Sequence, residues 1–196
     1  MAESWLLLTV STAGAPDSLR VQVWRRLRSL GALYLHQSVC LLPERPETAR
    51  ALHRLLDRVR HGGGSGRLLH VALSSPGEEA AITAEFQRER AAEYQELLDR
   101  VPEFTRELSA ERAKGRLTYA EVEESEADLA RFQRWLAKIA GRDYFDCPLR
   151  SQARSAVDRC AQDLARFEAE AFSADTHTPA KAPSRPASQL RLAEEN

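Results

Sequence analysis

The sequence predicts an α+β fold, because short strand-like apolar runs alternate with amphipathic helices in its first third and long helical stripes follow. Trp5–Val10 is a continuous apolar run that ends in the turn-forming STAGAPD, which predicts a buried strand. A helix capped by Asp17 or Ser18 is expected next. It runs to about Leu30, with Gly31 in the C-cap position.

Two short strands, a second helix and a last strand complete this part. ALYLHQ and SVCLLP meet in a tight turn at Gln37–Ser38, and Pro43 ends the second strand. Pro46 lies in the first turn of a helix that runs to about His61, and the loop HGGGSG leads into the strand RLLHVALSS. The order is βαββαβ, which predicts a ferredoxin-like domain with two helices on one face of a four-stranded sheet.

The rest of the chain predicts an antiparallel helical hairpin or bundle. A helix is expected to be interrupted at Pro102 and to resume as far as Gly115. Thr118 and Glu121 then form a capping box at the start of the next helix.

Two apolar stripes at alternating spacings of three and four residues predict that the last two helices pack together. They comprise Leu129, Phe132, Leu136 and Ile139, and Ala153, Val157, Cys160, Leu164, Phe167 and Ala171. We therefore predict a domain at 1–76, a helical subdomain at 77–172 and a disordered, Pro-, Ala- and Ser-rich tail at 173–196.

Composition points to a cytoplasmic globular protein. The chain is 43% hydrophobic and 29% charged, and its apolar runs are too short to cross a bilayer. The first ten residues lack the basic start and the cleavage site of a secretory signal. Cys40, Cys147 and Cys160 are an odd, scattered set, which favours reduced thiols and gives no sign of a zinc site.

The net charge of −1 conceals an asymmetry along the chain. Residues 17–67 hold ten Arg against four acidic residues, whereas residues 78–130 hold fifteen acidic residues against seven basic ones. Two interpretations stay open at this point: the basic third binds a polyanion, or it docks on the acidic helices of the same chain.

The arginines of the first helix differ in their angular positions. Arg25 and Arg28 lie opposite the apolar stripe, and Arg26 lies on its flank. Arg20 lies at the edge of the stripe beside Trp24. There it must pair with a carboxylate, stack on Trp24 or reach an anion, chromate included, because an unpaired buried charge is costly.

The second helix carries a more regular pattern. Arg50, Arg54 and Arg58 recur every four residues on the side opposite its apolar stripe and form one ridge. Guanidinium groups in such a row suit phosphate contacts, and they also suit docking against acidic helices.

Motifs for catalysis are not found. The sequence has no P-loop, no G-x-G-x-x-G, no H-E-x-x-H and no G-x-S-x-G. HGGGSG precedes a strand rather than a helix, and the five histidines lack metal-ligand spacing, although His36 and His70 would be close if their strands aligned. We expect neither an enzyme nor a cofactor nor a metal site.

A specific resemblance lies in WLLLTVS and SLRVQVWRRLRSLGALYLHQSVCLLPE, in GRLTYAEVEESEADLARFQRWLAKIAGRDYF and in AVDRCAQDLARFEAEAF. These segments resemble the N-terminal domain of the ChrB family of chromate-resistance regulatory proteins. The resemblance covers roughly residues 4–172. It implies a cytoplasmic bacterial protein of the chromate response that acts as a DNA-binding transcriptional regulator. Full-length members carry a second, sensor-type C-terminal domain, which the resemblance makes a candidate partner.

The first third resembles more weakly the ferredoxin-like domain of PaaX-type repressors and of the CRISPR-adaptation endoribonuclease. In that nuclease family an Asp closes the first strand and binds metal. Here Thr9, Val10, Ser11 and Thr12 stand in its place, so the nuclease activity is not carried over.

The leading hypothesis is a DNA-binding regulatory module with promoter DNA as its partner. The alternative is a protein-interaction module that forms a homodimer or pairs with a separate sensor domain. The candidate nucleic-acid or anion contacts are Arg20, Arg25, Arg28, Arg50, Arg54 and Arg58.

Overall fold

A computed structural model of the chain describes residues 4–115 and 118–177. Within them the fold is α+β, as predicted, with one four-stranded antiparallel sheet and five helices. The strands are β1 (Trp5–Ser11), β2 (Leu33–His36), β3 (Val39–Pro43) and β4 (Ser65–Val71). The helices are α1 (Asp17–Ser29), α2 (Pro46–His61), α3 (Pro76–Ala113), α4 (Tyr119–Ala140) and α5 (Leu149–His177).

The sheet has the strand order β2-β3-β1-β4. β1 is central and pairs with β3 from Trp5↔Pro43 to Thr9↔Val39, while β4 lies along its other side. The last strand is Ser65–Val71 rather than the predicted 67–75. β4 starts two residues before the predicted position, because Gly66 lets β4 approach β1 closely. A Cβ on Gly66 would lie 2.3 Å from the Thr9 carbonyl oxygen.

α1 and α2 cover one face of the sheet, as predicted. Leu6 and Leu8 of β1 are fully buried on this face, and Leu42 of β3 lies beside Leu6 in register. Leu27 of α1 and Leu52 of α2 pack into the same cluster. Because side chains alternate along a strand, Trp5 of β1 points to the opposite face.

The opposite face is covered at one end by the start of α3 and by the loop between α4 and α5. Trp5 is fully buried, with its ring centroid 5.8 Å from that of Phe86 and 5.7 Å from that of Phe145. Ile82 of α3 and Leu41 of β3 belong to the same cluster. This second covering was not predicted from the sequence.

α3 continues through Pro102, so the predicted interruption there is wrong. Proline removes one helical hydrogen bond and crowds the preceding turn, at a cost of about 3 kcal/mol. Leu97, Phe104 and Leu108, on both sides of the proline, are buried in one cluster with α4 and α5. Burying side chains of this kind stabilises by about 1.5–3 kcal/mol each, which offsets the loss.

α4 and α5 form the predicted pair, and α3 packs against both. The Thr118 hydroxyl accepts a hydrogen bond from the Glu121 N–H at the start of α4. In the first stripe Leu129, Phe132 and Ile139 are buried and Leu136 is half-buried. Every residue of the second stripe is buried: Ala153, Val157, Cys160, Leu164, Phe167 and Ala171. The three helices therefore form a bundle rather than a simple hairpin.

Arg90 is a buried charge at the place where α3 leaves the sheet for this bundle. Only 4% of the residue is exposed, and its Nε lies 3.2 Å from Glu93 Oε2 without an aligned hydrogen bond. Its Nη1 donates to the Arg142 carbonyl oxygen at 3.4 Å. Arg142 itself binds both carboxylate oxygens of Glu93, at 2.8 and 3.0 Å. One carboxylate thus serves two guanidinium groups.

The loop between α4 and α5 fastens the bundle to the sheet layer. The Tyr144 hydroxyl donates to the Leu30 carbonyl oxygen at 2.7 Å. The Asp143 carboxylate accepts from the Tyr94 hydroxyl at 3.1 Å and from the Cys147 N–H at 3.0 Å. Burial, and then the nearby Asp143 charge, raise the pKa of Tyr94, so its hydroxyl remains a donor.

Gly31 ends α1 directly against this junction. Its φ is +68°, and its N–H donates to the Arg28 carbonyl while the Ala32 N–H donates to that of Leu27. This is the Schellman arrangement, in which a glycine allows the chain to reverse. A Cβ on Gly31 would lie 2.4 Å from Arg90 Nη1 and 2.9 Å from Arg142 Cβ.

The division at 76/77 stays a prediction. Two hydrophobic clusters involve the sheet and one lies within the bundle, and α3 contributes to both kinds. α5 extends to His177, past the predicted boundary at 172, and 178–196 of the predicted tail lie outside the described residues. No helix in the described ranges combines the length and apolar character needed to cross a membrane.

We expect Gly31→Ala to destabilise the protein more than Gly14→Ala. Both glycines have positive φ, so both substitutions carry the left-handed penalty of about 1–2 kcal/mol. Only Gly31 has neighbours in the way, whereas a Cβ on Gly14 meets nothing within 4 Å. Urea denaturation should give a free energy of unfolding lower by about 1–3 kcal/mol for Gly31→Ala than for Gly14→Ala. Equal losses would contradict the close packing at Gly31.

We expect Glu93→Gln to lower the free energy of unfolding by about 3 kcal/mol, because it removes the carboxylate that Arg90 and Arg142 share and leaves the buried Arg90 with Glu89 alone, whose side chain is 45% exposed. Glu96→Gln, an exposed change one turn along α3, is the matched control and should stay within about 0.5 kcal/mol of the unchanged protein. Thermal and urea denaturation measure both. Similar stabilities for the two variants would refute the role given to Glu93.

Candidate nucleic-acid interface

α2 presents three arginines on one exposed side. Arg50, Arg54 and Arg58 are all exposed, whereas Leu52 and Val59 on the opposite side are fully buried. No carboxylate of the described residues lies within 4.0 Å of any of the three. The ridge predicted from the sequence is therefore a solvent-facing row of guanidinium groups.

Local interactions fix both ends of α2 and hence the direction of the ridge. At the start, the buried Thr48 hydroxyl accepts from the Arg45 N–H at 2.9 Å and lies 2.8 Å from the Pro43 carbonyl oxygen. At the end, Gly63 has a φ of +85° and the Gly64 N–H donates to the Val59 carbonyl. HGGGSG is thus the end of a helix and the approach to β4.

The ridge does not dock on the acidic helices. α2 contacts α1, β1 and β4, on the face of the sheet that holds Leu6 and Leu8. α3 begins on the other face, where Ile82 and Phe86 pack on Trp5. Intramolecular docking of the ridge, one of the two alternatives left by the charge pattern, is therefore wrong. The sheet lies between the two charged regions at this point.

α1 carries four exposed arginines in different surroundings. Arg25 and Arg26 are exposed, and the Arg28 guanidinium lies over the Trp24 ring, 5.3 Å from its centroid. Arg20 pairs with Asp17, with Nη2 2.9 Å from Oδ1, and both side chains are largely exposed. Of the three alternatives for Arg20, the structure shows the ion pair. The stack on Trp24 is made by Arg28 instead.

The predicted capping role of Asp17 or Ser18 is wrong. Pro16 occupies the N-cap position, and no side chain caps the first turn. The Asp17 carboxylate turns to Arg20, three residues along the helix, and a residue already inside the helix cannot serve as its cap. Asp17 still lies in the first turn, where a negative charge is favoured by the helix dipole.

The two helices together form one basic layer. α1 and α2 contact each other on the same side of the sheet, so their outward sides belong to a single surface. Guanidinium groups hold phosphate oxygens bidentately, and a set of them gives an affinity that depends strongly on salt. The set brought onto this layer is Arg25, Arg28, Arg50, Arg54 and Arg58.

A groove beside α1 was not expected from the sequence. It has a volume of about 890 Å³ and lies between α1, the end of β1, the β2–β3 turn and the start of β4. Arg20 and Trp24 line it from α1, and Tyr34 and Arg67 line it from the strands. The signal that the sequence offered is a tryptophan, Trp24, at the edge of the apolar stripe of α1, and in the structure 49% of it is exposed.

The histidines of the described residues do not form a metal site. His36 lies in β2 and His70 in β4, which are opposite edges of the sheet, about 14 Å apart for three strand spacings. The idea that their strands bring them together is wrong. His70 lies beside Glu44, with Nδ1 3.0 Å from Oε1. Within residues 4–115 and 118–177, no three His, Cys, Asp or Glu side chains are grouped to hold a metal ion.

Sequence reasoning also missed Arg90, although a signal was present. Arg90 follows Ile82 and Phe86 and precedes Tyr94 at four-residue spacing, on a stripe that is otherwise apolar and buried. A charge on such a stripe demands a partner. Its carboxylate partners, Glu89 and Glu93, are neighbours on the same helix, whereas the contact with Arg142 could be identified only once the loop after α4 was placed.

Comparison with known proteins gives the chain a family. The sequence profile described as "Protein ChrB, N-terminal" matches residues 20–178. A relative called "Protein ChrB", from Cupriavidus metallidurans, is 29% identical over 123 residues, which are 63% of this chain and 34% of the relative. The chain thus aligns with about a third of that longer protein. It belongs to the ChrB N-terminal family.

Proposed function

We propose that this chain is a cytoplasmic regulatory module of the chromate-resistance response that binds duplex DNA through α1 and α2. Membership of the ChrB N-terminal family supports the link to chromate resistance. The observation that carries DNA binding is the solvent-facing ridge of Arg50, Arg54 and Arg58, which lies on the side of the sheet away from the start of α3. We propose a non-enzymatic role for it.

The ridge is suited to phosphates by spacing as well as by charge. Residues four apart on a helix rise by about 6 Å, so the three guanidinium groups are spread along α2 and can reach several phosphates. Arg25 and Arg28 on α1 would add contacts from the neighbouring helix. Contacts of this kind position a protein on DNA without reading its sequence, so promoter choice requires further groups that reach the bases.

We also infer that residues up to β4 form a ferredoxin-like domain. The element order βαββαβ and the strand order β2-β3-β1-β4 support this inference, since the first and second strands are then separated by the third. In such a domain the two helices share one face. This explains why arginines far apart in the sequence reach one surface.

A second candidate is a protein-interaction module that forms a homodimer or pairs with a separate sensor domain. The length of the relative favours it, because the aligned residues make up 34% of that protein and leave room for another domain. It predicts a dimer or a complex in sedimentation experiments and no affinity for duplex DNA.

We expect the triple variant Arg50→Ala/Arg54→Ala/Arg58→Ala to bind duplex DNA more weakly and with less dependence on salt. Each lost phosphate contact reduces the slope of log K against log salt concentration by about 0.9, so the slope should fall by up to about 2.7. Fluorescence anisotropy on a labelled duplex from upstream of the chain's own gene, repeated at several salt concentrations, measures both quantities.

The matched control removes the same charge from exposed arginines of α3 and α5, by Arg88→Ala/Arg154→Ala/Arg159→Ala. It should keep the affinity to within about threefold, because only the long-range charge changes. Equal weakening in the two variants, or no DNA binding by the unchanged protein, would reject the proposal in favour of the interaction module. Both variants replace arginine by alanine on exposed helix surfaces, so the fold should be retained.

A further inference from the structure

The groove beside α1 has the size of a small-molecule site. Its volume of about 890 Å³ lies within the range of about 300–1,000 Å³ that ligand pockets occupy. Its inner wall is formed by the buried side chains of Val23, Leu27 and Cys40. Hydroxyl and amide groups surround that wall, from Thr9, Thr12, Gln37, Ser38 and Ser65.

Two aromatic rings line the groove and remain accessible. Trp24 is 49% exposed and Tyr34 is 38% exposed, and both line the groove. The Arg28 guanidinium lies over the Trp24 ring, 5.3 Å from its centroid. Exposed rings of this kind are stacking surfaces for a planar ligand.

The polar groups of the groove favour a negatively charged ligand. No carboxylate is among its lining residues, whereas Arg20 and Arg67 both line it. Arg20 pairs with Asp17 through side chains that are largely exposed, and such an exposed pair is weak enough to be exchanged for a ligand. Burial, and then the neighbouring Cys40, raise the pKa of Tyr34 to about 12, so the Tyr34 hydroxyl stays neutral and does not repel an anion.

We propose that this groove binds a small aromatic anion, a planar ring that contacts Trp24 and Tyr34 and carries a carboxylate or phosphate held by Arg20 and Arg67. The site is distinct from the ridge on α2 and does not depend on DNA binding. A free metabolite or a nucleotide can supply this chemistry. The test therefore uses one probe of each kind.

The experiment titrates the full chain by calorimetry with 2-naphthoate and, separately, with adenosine 5′-monophosphate. Neutral 2-naphthalenemethanol and adenosine test the need for the charge, and inorganic phosphate tests the need for the ring. We expect at least one anionic probe to bind, and its neutral counterpart and phosphate to bind at least tenfold more weakly. Binding of naphthoate alone identifies a carboxylate ligand, and binding of the nucleotide identifies a phosphate-bearing one.

Variants connect the binding to this groove. Trp24→Leu should lower the affinity for the anionic probe about tenfold, as expected for the loss of one stacking partner. Arg67→Gln should weaken binding of the anionic probe without changing the affinity for its neutral analogue. Because this change leaves the apolar wall of the groove intact, it still tests the proposal if Trp24→Leu perturbs the fold. Trp135→Leu removes a half-buried tryptophan of α4 and is the matched control, with no expected change.

Three outcomes of the titrations overturn the proposal. They are the failure of both anions to bind at millimolar concentration, equal binding of charged and neutral probes, and affinities unaffected by Trp24→Leu and Arg67→Gln. A dimer in sedimentation experiments that Trp24→Leu dissociates also overturns it, since a second copy then covers the groove. None of these experiments alters Arg50, Arg54 or Arg58, so the DNA-binding proposal is tested independently of the groove.

Discussion

The structure depends on the buried guanidinium of Arg90, where α3 passes from the sheet to the helical bundle. A charge that is 4% exposed must be neutralised; Glu89 and Glu93 do so, and Glu93 also binds Arg142 of the α4–α5 loop. The same loop reaches α1 through Tyr144 and the Leu30 carbonyl. The charge requirement of one residue therefore fixes how the bundle sits against the sheet.

This arrangement explains why the basic helices remain free. α3 starts on the face of the sheet opposite α1 and α2, and Glu93 is occupied by Arg90 and Arg142. The charges of this junction, Arg90, Glu93 and Arg142, all belong to the helical part of the chain and balance one another there. The ridge of Arg50, Arg54 and Arg58 is left facing solvent. Opposite net charges along a sequence do not by themselves mean that the charged surfaces meet.

The basic layer contains two kinds of surface. On α2 the arginines project from a convex helix and suit an extended polyanion. Beside α1 the groove is concave, lined by Trp24 and Tyr34, and suits a compact ligand. Arg28 lies at their border, because it stacks on Trp24 while belonging to the exposed set. A ligand in the groove would therefore change the surroundings of Arg28, a proposed DNA contact. Ligand binding could in this way alter the affinity for DNA.

The sequence by itself determined the α+β class, the order βαββαβ, the row of arginines on α2 opposite its apolar stripe and the apolar stripe of α5, since these follow from local periodicity. That the row faces solvent rather than the acidic helices was decided by the tertiary structure. Only the tertiary structure decided that α3 runs through Pro102, because burial of Leu97, Phe104 and Leu108 offsets a local penalty. It also decided the pairing of Glu93 with Arg142, the separation of His36 from His70 and the groove beside α1. Each of these depends on contacts between residues far apart in the chain, which periodicity does not encode.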